Sequence, residues 1–309
     1  MKIRLVVLAA LLGLVPFPVR AEAPTVRVFI LAGQSNMEGA GQVGINPGKD
    51  NGGQGSLEYL VKSPKTARQF AHCVDKDGEW IVRDDVWIWY LDRKGGLSVG
   101  YGARKQTIGP EFQFGHVMGQ HFREPVLIIK TAWGGKSLVR DFRSPSSGGM
   151  VGEYYSRMLA HIREVLAQRE TLFPALKGHT AVLSGFGWHQ GWNDGLKKPW
   201  VAEYEANLSH LIKDMRKELK ASQLPVVIAN SGFGGFKQKV DRRLGIIAAQ
   251  AAVARQPELK ATVTTVETRG FFRSPEVSPS RQGYHWNGNA ETYFLIGEAM
   301  ARAMIKLMK

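Results

Sequence analysis

One cysteine in 309 residues, Cys73, rules out an internal disulfide, a thiol–disulfide centre and a cysteine-ligated metal site. It lies in a polar stretch read as an insertion, a poor place for a nucleophile. Long apolar runs are equally scarce. Only Leu5–Val15 is nearly unbroken, and it falls short of the roughly 20 residues a bilayer-spanning helix needs, so no membrane span is expected. Lys2 and Arg4 precede it, and small residues at Ala21 and Ala23 follow. That pattern reads as a secretory signal peptide over residues 1–21, with a mature chain that begins near Glu22 and is secreted or periplasmic. Repeats, low-complexity tracts and Pro- or Ser-rich linkers are missing as well. The remaining chain, 22–309, is therefore read as one elaborated domain with long loop insertions around 41–84 and 136–152.

Acidic residues are in deficit. Lys and Arg number 41 against 27 Asp and Glu, for a formal charge of +14. Removing residues 1–21 takes away Lys2, Arg4 and Arg20 and no acid, which leaves +11. A basic exported protein is drawn to polyanions such as acidic polysaccharides or anionic cell surfaces. The cations are scattered and no nucleic-acid motif accompanies them, so a specific nucleic-acid partner is not expected. The oligomeric state is not legible.

What is present is an alternation of apolar, β-branched runs with helical patterns, which predicts an α/β fold with a parallel sheet. Strands are expected at Val26–Leu31, Asp85–Leu91, Pro125–Thr131, Thr180–Phe186, Pro225–Ala229 and Ala261–Val266. Helices are expected from Pro110 to Phe122 and over Gly152–Gln168, Val201–Leu219, Leu244–Arg255 and Ala290–Met308. In such sheets ligands bind beyond the carboxyl ends of the strands. Ser35, Gly134-Gly135, His189-Gln190 and Asn230-Ser231 each follow a strand end, so all should gather on one rim.

Ser35 in "ILAGQSNMEG" is either a helix cap or a nucleophile. A nucleophile needs a base. His116, His121, His161 and His210 fall in helical patterns and read as solvated; His72 lies in the insertion and His179 at the amino end of a strand. His189 and His285 remain. His285 is the better base, because Asn287 or Asn289 can cap the last helix and place it outside the positive end, where an imidazole stays neutral. His189 is structural or faces substrate. Gly134-Gly135 offers unobstructed backbone N–H groups for an oxyanion, and the Gln190 amide offers a third donor. Gln34, Asn36, Trp133, Trp192 and Trp286 adjoin the same rim and are expected, with His189, to meet substrate.

The blocks "GQSNM" (33–37), "WGGKSL" (133–138), "WHQGWND" (188–194) and "YHWNG" (284–288), in this order, resemble the SGNH-type hydrolases, and among them the carbohydrate esterase family 6 and sialate O-acetylesterase group. The resemblance spans nearly the whole mature chain. It implies a flavodoxin-like three-layer α/β/α sandwich with a central parallel sheet and metal-free, cofactor-free removal of O-acetyl groups from sugars. It further implies Ser35 as nucleophile, His285 as base, and an oxyanion hole of the Ser35 and Gly135 N–H groups with Gln190. The pattern departs at the acid: Trp192 stands where the family shows glutamate, and Gln282 where it often shows aspartate. Asp194 is expected to orient His285, with Glu267 or a neutral partner as alternatives. A degenerate glycan-binding protein, and more remotely a lipase or thioesterase, are the competing functions.

Overall fold

The computed structural model describes residues 23–46, 48 and 51–309; the signal-peptide reading falls outside them. The first strand, β1 (Thr25–Gly33), is apolar on both sides because both sides are covered. Val26, Val28, Ile30 and Ala32 enter one core layer, and Phe29 and Leu31 enter the other. A one-turn helix α1 (Ser35–Glu38) and a short strand β2 (Gly41–Gln42) follow. Then come α2 (Leu57–Lys62), α3 (Ala67–Phe70), β3 (Val86–Tyr90), β4 (Arg93–Gly96), β5 (Thr107–Ile108) and α4 (Pro110–His121). The second half runs β6 (Val126–Ala132), α5 (Glu153–Leu172), β7 (Thr180–His189), α6 (Lys198–Glu218), β8 (Val226–Ala229), α7 (Asp241–Val253), β9 (Val263–Val266) and α8 (Ala290–Leu307).

Seven strands form one sheet in the order β4-β3-β6-β1-β7-β8-β9, parallel except for the β3–β4 hairpin at one edge. Helices α5, α6 and α7 pack on one face and α4 and α8 on the other, which is the three-layer sandwich expected. The insertion after β1 folds onto α4 and α8 through its own small core of Val43, Leu57, Leu60, Phe70 and Cys73. Burial pushes the Cys73 thiol up to about 12, which removes it as a nucleophile.

Strand β1 is the switch point, since the chain places β6 on one side of it and β7 on the other. The register aligns their ends: Gly33 pairs with Ala132 on β6 and with His189 on β7. The Trp133 N–H donates to the Gly33 carbonyl at 3.2 Å, and the Gln34 N–H to the His189 carbonyl at 3.3 Å. Residues that leave these three strands therefore leave at one level. Two expectations about histidines fail. His116 and His161 are buried, because α4 lies between the sheet, α8 and the insertion, and the His161 ring meets the edge of Trp89 at 5.6 Å.

Candidate active site

Ser35 occupies the first position of α1. The Met37 and Glu38 N–H groups donate to the Gln34 carbonyl at 2.7 and 2.9 Å, and the Gly39 N–H to the Ser35 carbonyl at 2.9 Å. The Ser35 N–H itself has no intrahelical acceptor within reach. Gly39 ends the turn at φ +94°, where a Cβ would strike the Gly109 backbone, so the turn is wedged against the start of α4. Ser35 is half-buried and lines a cleft of about 490 Å³ together with His285, Glu38, Gln42, Arg104 and Tyr284.

His285 comes from the opposite end of the chain. The loop that carries it is bent by positive φ at Trp286 (52°) and Asn287 (55°), a strained path of the kind that gathers at functional sites. The loop is tied to the serine turn. Asn36 Nδ2 donates to the Tyr284 carbonyl at 3.1 Å, and the Tyr293 hydroxyl lies 3.2 Å from Asn36 Oδ1 and 3.3 Å from the His285 carbonyl. Asn289 caps α8 by accepting from the Thr292 N–H at 3.3 Å, so of the two asparagines considered it is the cap. Burial holds the His285 imidazolium down from its ordinary value. Ser35 and His285 share the cleft without a direct hydrogen bond between them, a loosening common before substrate binds.

Asp194 does not orient His285. It is fully buried, and its carboxylate accepts from the Leu138 N–H and the Val139 N–H at 2.9 Å each and from Gln190 Nε2 at 2.5 Å. Burial pushes its carboxyl up to about 6, against the pull of those donors. The cause is the path of the chain. After β7 the segment turns down through a short 3₁₀ turn, Asp194–Leu196, and the side chain enters beneath the 136–139 loop rather than rising over the rim. Gln190 is committed to the same brace: Nε2 also donates to the Lys136 carbonyl at 3.1 Å, and Oε1 accepts from the Tyr204 hydroxyl at 2.9 Å. Its amide is not aimed at the cleft as an oxyanion donor. Glu267 is spent on Arg269, which donates to both its oxygens. Among the described residues no carboxylate pairs with the His285 ring.

Six further expectations change. Gln34 is buried, with Oε1 accepting from the Gly191 N–H at 3.1 Å, so it clamps β1 to the β7 loop instead of meeting substrate. Asn36 is the buried strut already described. His189 is buried on β7, where its Nδ1 lies 2.9 Å from the Ala229 carbonyl and burial pushes it down to about 4. Trp286 has no exposed surface and stacks on His189 at 6.3 Å. Trp133 packs half-buried on Tyr154 and Phe142. Trp192 packs on Tyr284 at 5.1 Å and so backs the wall beside His285 without lining the cleft.

Gly135 remains open, at φ +71° and with nothing within 4 Å of a would-be Cβ. Asn193 Nδ2 donates to its carbonyl at 2.5 Å, which fixes the peptide from behind. Asn193 was legible inside "WHQGWND" and passed over. Glu38 likewise directly follows the serine block, whereas nothing in the sequence marks Arg104 as a cleft residue. Among the described residues no group of three or more His, Cys, Asp and Glu side chains gathers as metal ligands would.

The family described as "Carbohydrate esterase, sialic acid-specific acetylesterase" matches residues 25–306. Among solved structures, a protein from Arabidopsis thaliana superposes with a TM-score of 0.59 at 17% identity, over 92% of this chain and 99% of that one. NanS follows the same fold with a TM-score of 0.57 at 12% identity, over 92% and 98% of the two chains. A carbohydrate acetylesterase from Xanthomonas citri gives 0.51 at 13% identity, over 89% of this chain and 55% of its own. At such identities the likeness is one of fold. No curated protein matches the chain.

Proposed function

Because the chain belongs to the carbohydrate esterase family of sialic acid-specific acetylesterases and is a carbohydrate acetylesterase, we propose that it is an exported serine esterase that removes O-acetyl groups from sugars through Ser35 and His285. The observation that carries this reading is the convergence of those two residues, 250 positions apart in the chain, on one polar cleft at the carboxyl rim of the sheet. His285 takes the Ser35 proton as Oγ attacks the acetyl carbonyl carbon. The oxygen gains charge opposite the Ser35 and Gly135 N–H groups. The proton passes to the sugar oxygen as the C–O bond breaks, and water then releases acetate from the acetyl-serine by the same route.

In this reading the base works as a dyad. Its neutral form is favoured by burial, and its position is set by the Tyr293 hydroxyl at its own carbonyl and by Asn36 at the neighbouring Tyr284 carbonyl rather than by a carboxylate. Export rests on the residue 1–21 pattern, and attraction to acidic polysaccharide on the +11 charge of the mature chain. Turnover of 4-nitrophenyl acetate and of an acetylated sugar by wild type, Ser35→Ala and His285→Ala tests the dyad. Loss of several orders of magnitude in both variants supports it. A wild-type rate no higher than that of Ser35→Ala overturns it.

A further inference from the structure

Behind Glu38, which lines the cleft, lies a buried polar cluster that neither the nucleophile nor the base uses. Lys130, fully buried on β6, donates from Nζ to Glu111 Oε2 at 2.6 Å, to the Glu38 carbonyl at 2.7 Å and to the Tyr101 carbonyl at 2.6 Å. The cluster thus fixes the last residue of the serine turn from below. The Tyr90 hydroxyl lies 3.1 Å from both Glu38 Oε1 and the Ala132 carbonyl, which joins the turn to the end of β6.

Glu38 is the one member of this cluster that also lines the cleft with Ser35 and His285. One of its oxygens is held by Tyr90. The other, Oε2, has no donor among the described residues, and Lys130 meets the backbone carbonyl of Glu38 rather than its carboxylate. Gly134 marks where Oε2 lies: a Cβ there would stand 3.0 Å from it and 3.8 Å from Ser35 Cβ. A rigid acceptor with a free lone pair therefore stands beside the nucleophile, next to the oxyanion loop.

We propose that Glu38 is a specificity-determining residue whose free oxygen accepts a hydrogen bond from the sugar hydroxyl adjacent to the O-acetyl group under attack. This rests on the Ser35 chemistry proposed above. An ionised carboxylate only accepts. A neighbouring hydroxyl satisfies it, a neighbouring ester offers no donor, and a neighbouring anionic group is repelled. The enzyme then selects sugars acetylated at one position of a vicinal pair. The contact is a charge-assisted hydrogen bond, so its loss should cost about ten- to a hundredfold in kcat/KM.

The test compares a methyl glycoside carrying one acetyl and a free vicinal hydroxyl, its vicinal diacetate, and 4-nitrophenyl acetate. Wild type should prefer the monoacetate to the diacetate by about ten- to a hundredfold in kcat/KM. Glu38→Ala should lower the ratio of monoacetate to 4-nitrophenyl acetate at least tenfold. Glu38→Gln, which keeps an acceptor for Tyr90, should lower it less and guards against a folding defect in the alanine variant. If both variants keep the ratios, or slow all three substrates by one factor, the proposal is overturned. Full 4-nitrophenyl acetate activity in Ser35→Ala overturns the nucleophile and this proposal together. Ser35-dependent turnover with unchanged ratios overturns this proposal alone.

Discussion

Replacing Asp194 by asparagine separates a brace from a catalytic acid. Both carboxylate oxygens accept N–H groups: Oδ1 from Val139, and Oδ2 from Leu138 and Gln190. An asparagine must turn its NH₂ toward one of these donors, so at least one hydrogen bond to a charged acceptor is lost and a donor is left buried without a partner. Each such loss costs about 1.5–3 kcal/mol, for a total on the order of 2–4 kcal/mol after local relaxation. In a domain of this size that lowers Tm by roughly 5–10 °C. The loop that is released, 136–139, follows directly on Gly135, so kcat should fall, but only by about tenfold, because Ser35 and His285 are untouched. The pH dependence has a sign of its own. The folded carboxyl is raised to about 6, so the stability it confers is full below the unfolded value and is lost as pH rises toward 6. The gap in stability between wild type and Asp194→Asn should therefore widen on acidification from pH 7 to 4. Thermal unfolding across that range, together with steady-state kinetics, reads both effects. A fall of 10³ or more in kcat with an unchanged Tm would refute the brace, since that is the behaviour of a triad aspartate.

Other consequences follow from the same contacts. Burial lowers the pKa of His285, and the neutral imidazole is the base, so the acid limb of kcat/KM should lie below pH 6.5; a limb at or above 7 would point to a carboxylate partner in solution. Tyr293→Phe removes the hydroxyl shared by Asn36 and the His285 carbonyl, and should lower kcat about tenfold for about 1 kcal/mol of stability, as measured by denaturant titration. Lys130→Met leaves Glu111 buried and unpaired and should cost about 3–5 kcal/mol, most of it regained in Lys130→Met/Glu111→Gln; no regain would mean that the ion pair is not what the substitution disturbs. Mass spectrometry of the exported protein should find an N-terminus at Glu22 or Pro24, and an intact Met1 would contradict export.

The sheet was legible because its central strands are apolar on both faces, and the runs at Val26–Leu31 and Pro125–Thr131 fall within β1 and close to β6. Strand β4 was not. Arg93-Lys94-Gly95-Gly96 has no β-branched residue and is a strand only because β3 offers it an antiparallel edge. The burial of His116 was hidden for a related reason: every residue of α4 from Pro110 to Met118 is buried, and no polar face distinguishes the helix. At the site, position along the chain told which residues reach the rim but not which way they point. Ser35, Gly135 and His285 follow strand ends or enter a helix and stay open. Gln34, Asn36, Gln190 and Asp194 look the same in sequence, yet turn inward to satisfy backbone groups where three loops meet.

Covalent labelling tests the central claim most directly. A fluorophosphonate, which reacts only with an activated serine, is incubated with the mature protein and the modified peptide is mapped by mass spectrometry. The expected result is a single adduct on Ser35 that is lost in His285→Ala and undiminished in Glu267→Gln. An adduct elsewhere, or none on Ser35 in a protein that turns over acetylated sugar, would contradict it.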